Sequence, residues 1–152
     1  MTDEVPVTYQ GGSLQVPVGK LLLSPTRTYL PLMKDILENH FGAVHGLIHS
    51  SGGGQTKVMK YVGDHTRIIK DNLFDPPAIF PLLQKASGAD EREMMQVFNM
   101  GQRLEIYTPA AHAQTFLDLA VRYGIEAQVI GRVEEADRKE LLILKDGETI
   151  RY

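Results

Sequence analysis

The chain has 152 residues, of which 43% are hydrophobic and 23% charged, with a formal charge of −3 and no cysteine. That balance excludes a disordered tail, a collagenous repeat and a coiled coil, and the missing cysteine excludes a disulfide framework, a thiolate metal site and a cysteine nucleophile. A mildly acidic chain lacks the basic face that general nucleic-acid binding needs, and no apolar run approaches the ~18 residues of a membrane span. With no signal peptide at its start, the chain is expected to be cytoplasmic, with no membrane or nucleic-acid partner.

Residues 1–13 read as a linker, because Met1 to Glu4 are polar, Pro6 interrupts and Gln10-Gly11-Gly12-Ser13 is turn chemistry. Residues 14–23 are apolar, but Pro17 and Gly19 confine any strand to an edge or to the part after Gly19. Leu30, Met33, Leu37 and Phe41 recur at helical spacing. They predict a helix over 29–40 with Thr28 as N-cap, Pro31 in the first turn and Gly42 at the end. The apolar run 43–50 (AVHGLIHS) reads as a buried strand, followed by a helix from about Gly53 to Val62. Residues 66–71 form a second central strand. Asp75-Pro76-Pro77 opens a helix to about Ala86, which Pro81 must kink or push to a later start.

Asp90 with Glu93 three residues on is a capping box for a helix to about Phe98. Residues 103–108 (RLEIYT) alternate like a strand. Ala113, Phe116, Leu117, Ala120 and Tyr123 then give a helical stripe closed by Gly124. Segments 126–133 and 140–144 are expected to be antiparallel neighbours across the charged turn 134–139, leaving Gly147 in a solvated tail. Strands alternating with amphipathic helices imply an α/β (α+β) sandwich with a mixed β-sheet.

Chemistry concentrates at His49-Ser50-Ser51-Gly52-Gly53-Gly54-Gln55-Thr56. Three glycines between a strand and a helix leave backbone N–H groups unobstructed, and a helix N-terminus favours a phosphate. The spacing is neither a Walker A loop nor GxGxxG, so a tight turn with a helix cap explains the glycines equally well. Arg27 precedes a helix, where a guanidinium can grip a phosphate or form a surface ion pair. His49, at a strand end beside the glycines, is placed to act as base or donor, or to brace the loop by a hydrogen bond. The five histidines lack a zinc-helix spacing, which argues against a metal centre. Lys57, Lys60, Arg67 and Lys70 read as the wet face of a helix and strand that would raise local anion affinity. Asn99, in a cap-and-turn, can bond a ligand or its own backbone.

LLLSPTRTY (21–29), IHSSGGG (48–54), DPPAIFPLLQ (75–84), EMMQVFNMG (93–101) and VIGRV (129–133) together resemble the C-terminal half of the AIR synthase (phosphoribosylformylglycinamidine cyclo-ligase) family over about residues 14–144. The resemblance implies a three-layer α/β/α sandwich for residues 14–152, with residues 1–13 left from an interdomain linker. It implies a role in purine biosynthesis, where ATP activates the formamide oxygen of formylglycinamidine ribonucleotide and ring closure gives aminoimidazole ribonucleotide. ATP and magnesium would be held mainly by an N-terminal ATP-binding domain, the enzyme would be a homodimer, and this chain alone would be inactive. The family's His-x-Ser/Thr-Gly-Gly-Gly loop maps onto His49, Ser51, Gly52, Gly53 and Gly54, facing the substrate phosphate, and its Thr-Arg pair onto Thr26 and Arg27. Where many members carry Asn-Ile-Pro-Arg after the glycines, this chain has Val58, Met59, Lys60 and Tyr61, so Lys57 or Lys60 would supply the charge. The alternatives are the equivalent domain of a sister ATP enzyme, such as selenophosphate synthase or thiamin-phosphate kinase, and a stand-alone phosphate-binding domain. The joint presence of PTRTY, SSGGG and FNMG favours the cyclo-ligase resemblance over the sister enzymes.

Overall fold

Val5, Val7 and Val16 are β-formers that place a strand where the sequence reads as linker. The computed structural model describes residues 3–9, 12–25 and 28–152, and within them β1 (Glu4–Tyr9) pairs antiparallel with β2 (Gly12–Pro17). The hairpin ends at Pro17, after which the short helix α1 (Val18–Leu22) takes up the apolar run. Thr28 accepts the Leu30 amide at 3.3 Å, and α2 (Leu30–Asp35) starts with Pro31 in its first turn. It continues through a π-helical turn, Ile36–His40, and ends in a 3₁₀ turn, Phe41–Ala43.

β3 (Gly46–His49) is followed by the glycine loop and a 3₁₀ helix, Gly54–Lys60, in place of the expected α-helix. β4 (Thr66–Lys70) lies where the sequence places it. The Pro81 constraint resolves as a later start: α3 (Ile79–Ser87) has that proline at its third residue and Gly88 as a left-handed C-cap. Asp90 caps α4 (Glu91–Val97) by accepting the Glu93 amide at 2.7 Å. β5 (Leu104–Tyr107) precedes a 3₁₀ turn and α5 (Ala113–Arg122). The chain finishes with β6 (Gly131–Glu135), β7 (Glu140–Lys145) and β8 (Glu148–Arg151).

Helices and strands alternate and the main sheet is mixed, as the sequence implies. The strands nevertheless divide into the β1–β2 hairpin, an antiparallel β3–β5 pair and a four-stranded sheet ordered β6-β4-β7-β8. Two expectations about the C-terminal strands fail. β6 and β7 are not neighbours, because β4 inserts between them, antiparallel to β6 and parallel to β7. Ile68 and Ile69 on β4 are buried on both faces, which suits a central strand better than an edge. The Gly147 tail is not free: Asp146 (φ 52°) and Gly147 (φ 82°) turn the chain back so that β8 pairs with β7. Two left-handed residues in an Asp-Gly pair are the tight-hairpin signal.

The larger core joins Ile48, Val58, Ile68, Met94, Met95, Met100, Leu141 and Ile143. A second cluster, Leu32, Ile36, Phe116 and Leu119, packs α2 against α5, with Ile106 of β5 alongside. Ile48 and Val58 therefore anchor both flanks of the glycine loop in the larger core.

Candidate functional site

The loop begins where β3 leaves its pairing with β5. Ser50 is buried, and its amide still donates to the Arg103 carbonyl at 2.8 Å. Beyond it the chain folds on itself: the Ser51 amide donates to His49 O at 2.9 Å and the Gly54 amide to Ser51 O at 3.3 Å. Thr56 then returns both its amide (3.0 Å) and its hydroxyl (2.9 Å) to Gly53 O. Gly53 (φ 92°) and Gly54 (φ 49°) are both left-handed, a backbone only glycine adopts freely.

The three glycines face different surroundings. A Cβ at Gly52 would meet nothing within 4 Å, and one at Gly53 only Lys57, at 3.6 Å. One at Gly54 would strike the carbonyl oxygens of Phe98 (2.4 Å) and Met95 (2.6 Å). Gly54 is thus wedged under the end of α4, while Gly52 and Gly53 form the outer arc. The amides of Gly52 and Gly53 donate to no partner among the described residues. Lys57 curls back over this arc, its Nζ donating to His49 O at 2.9 Å and to Ser51 Oγ at 2.7 Å. The Lys57 ammonium, the Ser51 hydroxyl and two amides without an acceptor among the described residues therefore lie within one short loop, donor types that suit an anion.

Beneath the loop lies a buried polar cluster. Lys70, only 1% exposed, points its ammonium at Gln55 O (3.0 Å), Gln55 Oε1 (2.8 Å) and Glu105 Oε1 (2.6 Å). The other Glu105 oxygen accepts from Tyr107 OH at 2.6 Å, and Ser50 Oγ donates to Oε1 at 3.3 Å. Gln55 Nε2 bonds Asn99 O (2.6 Å) and Gln102 Oε1 (3.0 Å). Burial pulls the Lys70 ammonium below its ordinary pKa, with Glu105 opposing, and burial pushes the Tyr107 phenol up, with the adjacent Glu105 charge adding to the rise.

The structure gathers His49, Ser51, Gly52, Gly53, Gly54 and Lys57 in this one loop. His49 is exposed, with its ring edge-on to Tyr29 at 6.4 Å. Thr26 and Arg27 lie outside the described residues. Asn99 is half-buried and committed to the protein: its Nδ2 donates to Ser50 O at 2.9 Å and its Oδ1 accepts the Gly101 amide at 2.9 Å. Of the four cations expected on a wet face, Lys60 is exposed, but Lys70 is buried and faces Glu105. The missed signal is phase: on β4, Lys70 is two residues from the buried Ile68 and so shares its inward face. Among the described residues, no group of three or more His, Asp or Glu could hold a metal ion, and no helix is long and apolar enough to cross a membrane.

The sequence family described as AIR synthase related protein, C-terminal domain, matches residues 3–143. The chain is 28% identical over 134 residues to a phosphoribosylformylglycinamidine cyclo-ligase of Methanopyrus kandleri, covering 88% of this chain and 37% of that protein. Proteins of the same name from Desulfatibacillum aliphaticivorans and Methanocaldococcus jannaschii are 33% and 34% identical, over 84% and 78% of this chain and 38% and 34% of their own lengths. The chain thus spans little more than a third of the curated relatives it matches. With a family match over nearly its whole length, the chain belongs to the AIR synthase related proteins and corresponds to their C-terminal domain.

Proposed function

We propose that this chain is the substrate-closing part of an ATP-dependent cyclo-ligase that converts formylglycinamidine ribonucleotide to aminoimidazole ribonucleotide in purine biosynthesis. The single observation that carries the reading is the pair of amides at Gly52 and Gly53 that have no acceptor among the described residues, with the Lys57 ammonium held at Ser51 beside them. Such an arc binds a phosphate through backbone donors and one fixed charge. In this reading Ser51, Gly52 and Gly53 hold the substrate phosphate, Lys57 supplies the positive charge and Gly54 locks the arc onto α4. Thr26 and Arg27 join them as further phosphate ligands. His49, exposed at the rim, moves a proton during ring closure.

Among the described residues the acids do not gather into a metal-binding group, so those residues do not fit a magnesium–ATP complex. ATP and magnesium belong in this proposal to the N-terminal domain of the full protein, which works as a cytoplasmic homodimer. The β1–β2 hairpin marks the junction with that domain. This chain by itself has no turnover.

The experiment is steady-state kinetics of the full protein with two substitutions beside melting curves. Gly52→Val, which adds a side chain into open space, should raise KM for the ribonucleotide about tenfold or more with kcat little changed, the signature of lost uniform binding. His49→Asn should lower kcat, by about 10²–10⁴ if the imidazole is the general acid or base. An unchanged KM in Gly52→Val would assign the glycines to structure alone. A His49→Asn enzyme with normal kcat and a lower melting temperature would make the histidine a loop brace.

A further inference from the structure

We propose that the buried Lys70–Glu105 ion pair is a positioning device for the glycine loop, fixing the separation of Ser50 and Gln55 and thereby the aperture of the arc between them. The proposal rests on the reading of that arc as an anion site. Its basis is that both ends of the loop are tied to one pair of side chains from two different sheets. At the entry end, Ser50 Oγ donates to Glu105 Oε1. At the exit end, Lys70 Nζ donates to both the backbone and the side-chain oxygen of Gln55. Lys70 and Glu105 close the circuit at 2.6 Å, with side chains 2% and 3% exposed.

The ammonium has three protons and finds three acceptors, so its rotation is fully determined. Glu105 is steadied from the other side by Tyr107 OH, and Gln55 by Asn99 O and Gln102 Oε1. Asn99 forms a second strap across the same two points, since its Nδ2 holds Ser50 O while its carbonyl accepts from Gln55. An ion pair this deeply buried is weak evidence of a stability role, because desolvation offsets its attraction. Its geometric effect on the loop is specific: Lys70 touches no ligand-facing atom, yet it sets where Gly52 and Gly53 present their amides. Lys70 and Glu105 are therefore positioning residues, acting through Gln55 and Ser50.

The test is hydrogen–deuterium exchange of the full protein, followed on the segment 49–57 with and without inorganic phosphate. In Lys70→Met/Glu105→Gln both charges disappear together, so no unpaired buried ion remains and the melting temperature should stay within a few degrees. Ligand-free exchange of segment 49–57 should rise about tenfold while β4 and β5 keep their protection. Phosphate affinity should fall by the factor by which the closed, binding-competent fraction falls, which is smaller than the exchange factor while the loop stays mostly closed. Gln55→Met, which leaves the ion pair and the Lys70 bond to the residue-55 carbonyl in place but removes the side-chain link, should give a smaller loosening of the same segment, and it decides the matter if the double variant fails to fold. Unchanged exchange in segment 49–57 of the folded variants would overturn the proposal. So would a rise spread over the whole chain in step with a fall in melting temperature, which is the mark of a purely structural pair. If phosphate leaves segment 49–57 of the unaltered protein unprotected, the anion reading falls, whereas the clamp is judged on ligand-free exchange.

Discussion

At Gly54 a Cβ would lie 2.4 Å from the Phe98 oxygen and 2.6 Å from that of Met95, at a φ of +49°. A Cβ at Gly52, two residues earlier, would meet nothing within 4 Å. The run of three glycines is therefore one packing requirement, one left-handed turn and one unobstructed approach. This difference is measurable. Gly54→Ala should cost about 2–4 kcal/mol in denaturant unfolding, from left-handed strain added to overpacking. Gly52→Ala should stay within about 0.5 kcal/mol, as a surface change without a special backbone should. A Gly54→Ala protein as stable as the unaltered one would mean that α4 can retreat from the loop. The glycine motif and His49 are legible from composition and spacing, because their significance lies in consecutive residues. Lys70 and Glu105 are not. They are 35 residues apart on strands of different sheets, and each reads alone as an ordinary surface charge.

Among the elements, the central sheet owes its order to contacts that local pattern does not announce. β4 and β7 pair in parallel with Arg67 opposite Glu140, and Arg67 Nε donates to Glu140 Oε1 at 2.6 Å. Arg151, on β8, approaches the other carboxylate oxygen at 3.2 Å. The hydrogen bond from Arg67 is the main reason the Glu140 carboxyl sits below its ordinary pKa, with the charges of Arg67 and Arg151 adding to it. A carboxyl whose pKa is lower folded than unfolded contributes stability above its unfolded value of about 4.3 and loses it as pH falls through the folded value. Glu140→Gln should thus melt at a lower temperature than the unaltered protein at pH 7. The gap should narrow as the solution is acidified through the carboxylate range. A gap independent of pH would show that ionisation of Glu140 does not hold these strands together. Elements with local signals are found where the sequence puts them: α4 behind its Asp90 cap, α5 on its apolar stripe, β4 on its β-branched run. The insertion of β4 between β6 and β7 depends on pairing across more than 60 residues, and periodicity carries no information about it. The Asp146-Gly147 hairpin was legible in principle, since an Asp-Gly pair between the apolar run 141–144 and the alternating segment 148–152 is its known signal.

For the molecule as a whole, the chain spans 34–38% of the three relatives compared above, and the family assignment concerns their C-terminal domain. Lys57, Ser51 and the amides of Gly52 and Gly53 lie in one loop, while no group of three or more acids or histidines gathers among the described residues. That division supports the proposed reading, in which this domain takes a phosphorylated substrate and another part of the protein takes the nucleotide. The claim on which this account turns is that the outer arc of the glycine loop, Gly52 and Gly53, is where the phosphate goes. Titration of the ¹⁵N-glycine-labelled full protein with inorganic phosphate reads it directly. The account predicts that the amide signals of Gly52 and Gly53 shift saturably and together, with Gly88, Gly124 and Gly147 unmoved. Saturable shifts at other glycines with Gly52 and Gly53 still, or no shift at any glycine, would contradict it.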